Sequence, residues 1–245
     1  MKSYLRSVYW SMKRLVAPGV IGSQVKYGEV LLRHLERCPR WLDLGCGHQF
    51  LPHWAWDPDW QRLRALPRMI GVDYDFESLK RHAHLRDRVR SDIDSLPFRS
   101  RSFDLVTANM VMEHVTDPER IVSEVRRVLV PGGVFLFHTP NRSSPLMALA
   151  AHVPQSSKRR LISFFEDRGE ADIYPAVYRF NTEHAVAEIG RKAGFTLESC
   201  RFEVSEAVTQ VLGPLAVFEL LYIRLTQWKR LARLRPDIIG VLRAK

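Results

Sequence analysis

Three short apolar runs end on residues able to do chemistry. "WLDLGCG" stops at Asp43 and turns through Gly45 and Gly47, and glycine at both positions lets bare backbone approach a ligand that a Cβ would hold off. "GVD" stops at Asp73, where a strand-end carboxylate can accept hydrogen bonds from both hydroxyls of a ribose. "SDIDSLPF" then presents Asp92, which can accept from an exocyclic adenine amine while Ile93 packs on the ring. The third run leads into "ANMVMEHV", which offers Glu113 and His114. His114 is a candidate general base for a hydroxyl acceptor, and Glu113 can orient it or join it around a divalent ion. The other reading is a structural turn that caps the next helix.

Other ligands fit less well. A dinucleotide fingerprint needs a third glycine where Phe50 stands, and no lysine of the P-loop kind follows, which points to a nucleoside ligand without a pyrophosphate. Cys46 reads as a small loop residue. His48 and His53 have no carboxylate or cysteine at ligand spacing, so no metal site is expected. Cys38, Cys46 and Cys200 form no CxxC pair, which argues against a disulfide framework and for a reducing, cytoplasmic setting.

The elements that must position these residues form an α/β alternation. Strands are expected at "WLDL", "RMIGVD", "SFDLVTAN" and "GVFLFHT", with a short one around "RVRSD". The clearest helix follows Asp117: Asp as N-cap, Pro118 at the first helical position, and Ile121, Val122, Val125, Val128 and Leu129 on one face, stopped by Pro131, Gly132 and Gly133. "FESLKRHAHLRDR" and "NTEHAVAEIGRKAGF" read as further helices, "TLESCRFEVS" as a strand and "DIIGVLRAK" as a last edge strand. The expected organisation is one domain: an N-terminal helical cap (1–37), a core (38–141), a lid or acceptor insertion (142–181) and a C-terminal part (182–245) with a basic, apolar helical segment.

The run of motifs "LDLGCG", "GVD", "SDIDSLPFRSRSFDLVTAN", "MEHVTDP" and "RRVLVPGGVFLFHTPN" resembles class I S-adenosylmethionine-dependent methyltransferases, in particular the small-molecule group that includes the ubiquinone-biosynthesis O-methyltransferases. The resemblance implies a Rossmann-like, doubly wound α/β fold: a mostly parallel seven-stranded sheet with a helical insertion after the fifth strand and another before the last. It implies S-adenosyl-L-methionine as cofactor and S-adenosyl-L-homocysteine as product. It places Asp43, Gly45, Cys46 and Gly47 on the methionine and ribose side, Asp73 on the ribose, and Tyr74 beside the adenine. Asp92 and Ile93 fall at the adenine edge, and Asn109 with Met110 lie under the methionine moiety. The chain departs from the family's pattern at His48–Phe50 and in the long "LPHWAWDPDWQRLRALP".

The acceptor is read from charge. A net charge of +10 draws the chain to anionic partners without choosing among them. "VLGPLAVFELLYIRLTQWKRLARLRP" sets an apolar stretch, Val211–Ile223, before Arg224, Lys229, Arg230, Arg233 and Arg235. In the first 16 residues Leu5, Val8, Met12 and Leu15 fall on one helical face among basic residues. The leading expectation is a cytoplasmic enzyme, peripheral to the inner face of the membrane, with a lipid-like or lipid-linked small-molecule acceptor. The competing view of both segments is a lid or a dimer face, and oligomeric state stays open. A basic RNA methyltransferase and a non-catalytic cofactor-binding protein are the alternatives; Asn109 opens no "NPPY"-type motif, which weighs against nucleic acid as the substrate.

Overall fold

Short runs rich in Val, Ile, Leu and Phe, separated by Gly, Pro and Asp, become the strands of a seven-stranded sheet. The structure, a computed structural model, describes residues 2–49, 69–82, 85–151, 175–205, 214 and 216–245. Phe50, the tryptophan-rich stretch, the basic "KRR" and residues 211–213 lie outside these. The chain divides into two compact units, one of residues 24–140, 177–201 and 238–245, the other of residues 1–23, 141–176 and 202–237.

The strands are β1 (Trp41–Leu44), β2 (Met69–Asp73), β3 (Asp87–Arg90), β4 (Phe103–Asn109), β5 (Leu129–Pro140), β6 (Phe195–Glu203) and β7 (Asp237–Ala244). Their spatial order is β3-β2-β1-β4-β5-β7-β6. The pairs β2–β3, β1–β2, β1–β4 and β4–β5 are parallel. Chain order therefore reverses on either side of β1 and β4, and the crevice at the carboxyl ends of those strands is where open α/β sheets bind ligands.

The helices are α1 (Lys2–Val16), α2 (Ser23–Leu35), α3 (Phe76–Arg81), α4 (Pro118–Val128), α5 (Pro145–Ala151), α6 (Glu183–Lys192) and α7 (Val217–Thr226), with a 3-10 helix at Lys229–Leu234. Local chemistry sets their starts. Asp75 accepts from the Glu77 N–H, Asp117 from that of Arg120 and Thr182 from that of Ala185, each relieving an N–H that the helix itself leaves without an acceptor. α4 buries Ile121, Val122, Val125 and Val128, worth roughly 1.5–3 kcal/mol per side chain before entropy is counted.

Two expectations need correction. "DIIGVLRAK" is not an edge strand: β7 lies between β5 and β6, because Ile238, Ile239, Val241 and Leu242 are apolar toward both faces and all are buried. Pro131, Gly132 and Gly133 do not separate a helix from a strand; they sit within β5. There the pairing jumps from Phe103↔Leu129 to Leu105↔Val134, and Gly132 has a positive φ. In α1 the buried face centres on Tyr9, with Met12 and Val16 packed nearby, while Leu15 is 80% exposed. Tyr9 packs with Leu220 and Ile223 of α7.

Candidate active site

β1 delivers Asp43 one residue before the chain turns. Gly45 has φ +61°, and a Cβ on it would stand 2.5 Å from Val111 Cγ2. Gly47 has φ +53°, and among the described residues nothing lies within 4 Å of where its Cβ would be. Cys46 between them is buried and packs with Leu79 and Leu85; burial pushes its thiol up, and the charges of Asp43 and Asp73 add to this. A structural small residue fits that position better than a nucleophile. Gly71 of β2 leaves room for it, since a Cβ there would come within 2.7 Å of Cys46 Sγ.

Asp73, ending β2, faces the same turn. Its Oδ2 accepts from the Gly47 N–H at 2.8 Å and its Oδ1 from that of Asp75 at 2.8 Å. Each carboxylate oxygen keeps a further lone pair for an incoming hydroxyl. Tyr74 next to it is 69% exposed, with the Arg90 guanidinium 5.6 Å from its ring. Asp92 is exposed and Ile93 half-buried in the turn after β3.

Asp43 is buried. Thr107 of β4 donates to its Oδ1 at 2.5 Å and accepts from the Trp41 indole N–H at 2.7 Å. Burial raises the Asp43 carboxyl to about 7; the Thr107 hydrogen bond opposes the rise and the nearby Asp73 charge adds to it. Tyr27 of α2 lies in the same pocket of polar groups, its phenol pushed up by burial and then by the Asp43 charge, and it stacks on His138 with centroids 5.6 Å apart.

At the end of β4, Asn109 donates to Gln24 Oε1 at 2.9 Å and pairs through Oδ1 with His138 Nδ1 at 2.9 Å, so its amide is oriented by α2 and β5. Met110 follows with φ +57° and its N–H on the His138 carbonyl at 2.8 Å. A non-glycine residue held there stores about 1–3 kcal/mol of strain that its surroundings must impose, and such residues concentrate at functional sites.

Glu113 is buried. Its Oε2 accepts from Thr139 Oγ1 at 3.0 Å, Asn181 donates to that hydroxyl at 2.6 Å, and the Glu113 carbonyl accepts from the N–H groups of Val177 and Tyr178 at 2.8 and 3.1 Å. Burial and then the Glu113 charge raise the Tyr178 phenol. The His114 side chain is one-third exposed, with Nε2 3.7 Å from Glu113 Oε1. That is beyond hydrogen-bond reach. Among the described residues no three His, Cys, Asp or Glu side chains cluster to hold a metal. Asn141, a further polar residue just past β5, donates to the carbonyls of Arg233 and Arg235 at 2.9 and 2.7 Å, and its amide is used structurally.

The sequence reading therefore meets a structure in which Asp43, Gly45, Cys46, Gly47 and Asp73 adjoin one turn. Thr107, Tyr27 and Gln24 were missed. The polar Thr107 inside the otherwise apolar "LVTA" of a buried strand was the one available signal.

Residues 42–137 match a family model described as methyltransferase domain. A probable S-adenosylmethionine-dependent methyltransferase of Mycolicibacterium smegmatis is 43% identical over 81 residues, 31% of this chain and 30% of that protein. The ubiquinone biosynthesis O-methyltransferase of Psychrobacter arcticus is 31% identical over 165 residues, 63% of this chain and 58% of that protein. The chain thus spans less than two thirds of the length of these curated relatives. In fold it is similar to the crystal structure of an S-adenosylmethionine-dependent methyltransferase from Mesorhizobium loti, with a TM-score of 0.54 at 19% identity over 88% of this chain and 94% of the other.

Proposed function

We propose that this chain, whose residues 42–137 match a family model described as methyltransferase domain, is a class I S-adenosylmethionine-dependent methyltransferase that transfers a methyl group from S-adenosyl-L-methionine to a small, lipid-like or lipid-linked acceptor. The observation that carries the reading is the positive-φ turn through Gly45 and Gly47 with the Asp73 carboxylate accepting from the Gly47 N–H at 2.8 Å. In this reading Asp43, Gly45, Cys46 and Gly47 line the methionine and ribose side of the cofactor and Asp73 holds the ribose hydroxyls. Tyr74 flanks the adenine, Asp92 and Ile93 read its edge, and Asn109 and Met110 underlie the methionine moiety. The positive φ values at Gly45, Gly47 and Met110 present backbone to a ligand at close range.

When bound, the cofactor supplies an electrophilic methyl on a sulfonium, and its displacement leaves neutral S-adenosyl-L-homocysteine. The chain's own work is alignment, for which proximity alone is worth about 7–11 kcal/mol. For a hydroxyl acceptor, His114 takes the proton as the oxygen attacks. The Glu113 carboxylate, 3.7 Å away and anchored by Thr139, stabilises the imidazolium that results.

The name of the ubiquinone-biosynthesis relative supports an oxygen acceptor on a lipid-linked ring, and the apolar, basic α7 region supports an enzyme peripheral to the inner face of the membrane, in the cytoplasm. The test is transfer of labelled methyl from the cofactor to three pools: polyprenylated phenols, soluble phenols and total RNA. Label in the polyprenylated pool is expected. Label confined to RNA would replace this reading with an RNA methyltransferase, and cofactor binding with no label anywhere would leave a non-catalytic binding protein.

A further inference from the structure

Helices on a protein surface usually divide into an apolar face turned inward and a polar face turned to water; α7 does not. Its inward face is ordinary: Leu220 and Ile223 are buried against Tyr9 of α1, and Thr226 is buried as well. The outward face carries Phe218, Leu221 and Leu225, with Trp228 just past the helix end, at spacings that bring all four onto one side. Phe218 is 70% exposed and Trp228 69%, and the two leucines are exposed as well.

Past the buried Glu219 the charges along the sequence are of one sign. From Leu220 to Pro236 the sequence holds no Asp or Glu, and Lys229 and Arg230, next to Trp228, are exposed. On α1, packed against α7, Lys13 and Arg14 occupy the last turn and Lys13 sits 4.7 Å from the exposed Trp10 ring. Exposed Phe and Leu, then an indole at the boundary, then a basic cluster, is the order of groups met on passing from acyl chains through the interface to anionic headgroups.

We propose that the outward face of α7, with Trp228, Lys229 and Arg230, docks on an anionic bilayer surface: Phe218, Leu221 and Leu225 enter the acyl boundary and the two cations meet lipid phosphates. The helix lies in the interface, since among the described residues no helix is long and apolar enough to cross a membrane. The proposal rests on and deepens the lipid-linked reading above, and its assay reads vesicle binding rather than turnover, so the two fail separately.

The experiment is flotation of the full chain with phosphatidylcholine vesicles and with vesicles containing phosphatidylglycerol, at low and high salt. Two variants accompany it, Phe218→Ser with Trp228→Ser, and Lys229→Glu with Arg230→Glu; all four positions are exposed, and circular dichroism verifies that both variants fold. The wild type is expected to float with the anionic vesicles. The apolar pair should lose about tenfold or more in partitioning at either salt, and the charge pair about fivefold per cation at low salt with little change at high salt. Flotation unchanged in both variants would overturn the proposal. So would a wild type that floats with neither vesicle, and if sedimentation then showed a dimer that Phe218→Ser breaks, the face would be a subunit interface. Loss of cofactor binding in an Asp73→Ala chain that still floats would leave the docking surface standing.

Discussion

Asp43 is predicted to make the protein less stable as pH rises, and Asp43→Asn to remove that dependence. Burial raises its carboxyl to about 7, with the Thr107 hydrogen bond opposing and the Asp73 charge adding, against about 3.9 in the unfolded chain. The native state therefore holds a proton that the unfolded chain has released across this window. The stabilising contribution is complete below about pH 4 and is lost as pH climbs through about 7. A shift of about 3 units corresponds to about 4 kcal/mol, of which about 3 kcal/mol falls between pH 5 and pH 8. Urea unfolding of wild type and D43N at those two pH values, without added cofactor, isolates the term, because the other titrating groups are common to both. The wild type should lose about 3 kcal/mol more than the variant, and at pH 8 the variant should be the more stable. Parallel pH dependence in the two proteins would refute the argument.

Further outcomes follow from the same geometry. His114→Ala should lower turnover about 10²- to 10⁴-fold with a hydroxyl acceptor and leave cofactor affinity alone; wild-type turnover would clear His114 of the role. Gly240→Ala should destabilise by about 1–3 kcal/mol or more in denaturant titration, because its Cβ would lie 2.1 Å from Phe137 Cζ with no flexible chain to yield. Asp117→Ala should cost about 1 kcal/mol by loss of the α4 cap, read as a shift in urea midpoint without change in slope.

The sheet and the glycine turn were legible because their signals are local. A short apolar run ending in Asp and then Gly-x-Gly is complete within seven residues, and α4 announces itself with Asp117, Pro118 and a buried stripe. The misreadings came from partners distant in sequence. Nothing near β7 says that β6 will cover its outer edge. The polar chain from Trp41 through Thr107 to Asp43 joins two strands more than sixty residues apart. The Glu113–Thr139–Asn181 chain joins three segments. "MEHV" marked Glu113 as a candidate, but only the fold shows its carboxylate held by Thr139 and leaves His114, not Glu113, partly open to solvent.

The central claim is that the turn at Gly45–Gly47 and the Asp73 carboxylate hold S-adenosyl-L-methionine. Isothermal titration of the full chain with the cofactor and with S-adenosyl-L-homocysteine tests it most directly, alongside an Asp73→Ala variant whose folding is verified by circular dichroism. The account predicts that the wild type binds both ligands and that the folded variant binds neither. A wild type that binds neither, or a variant that binds both with unchanged affinity, would contradict it.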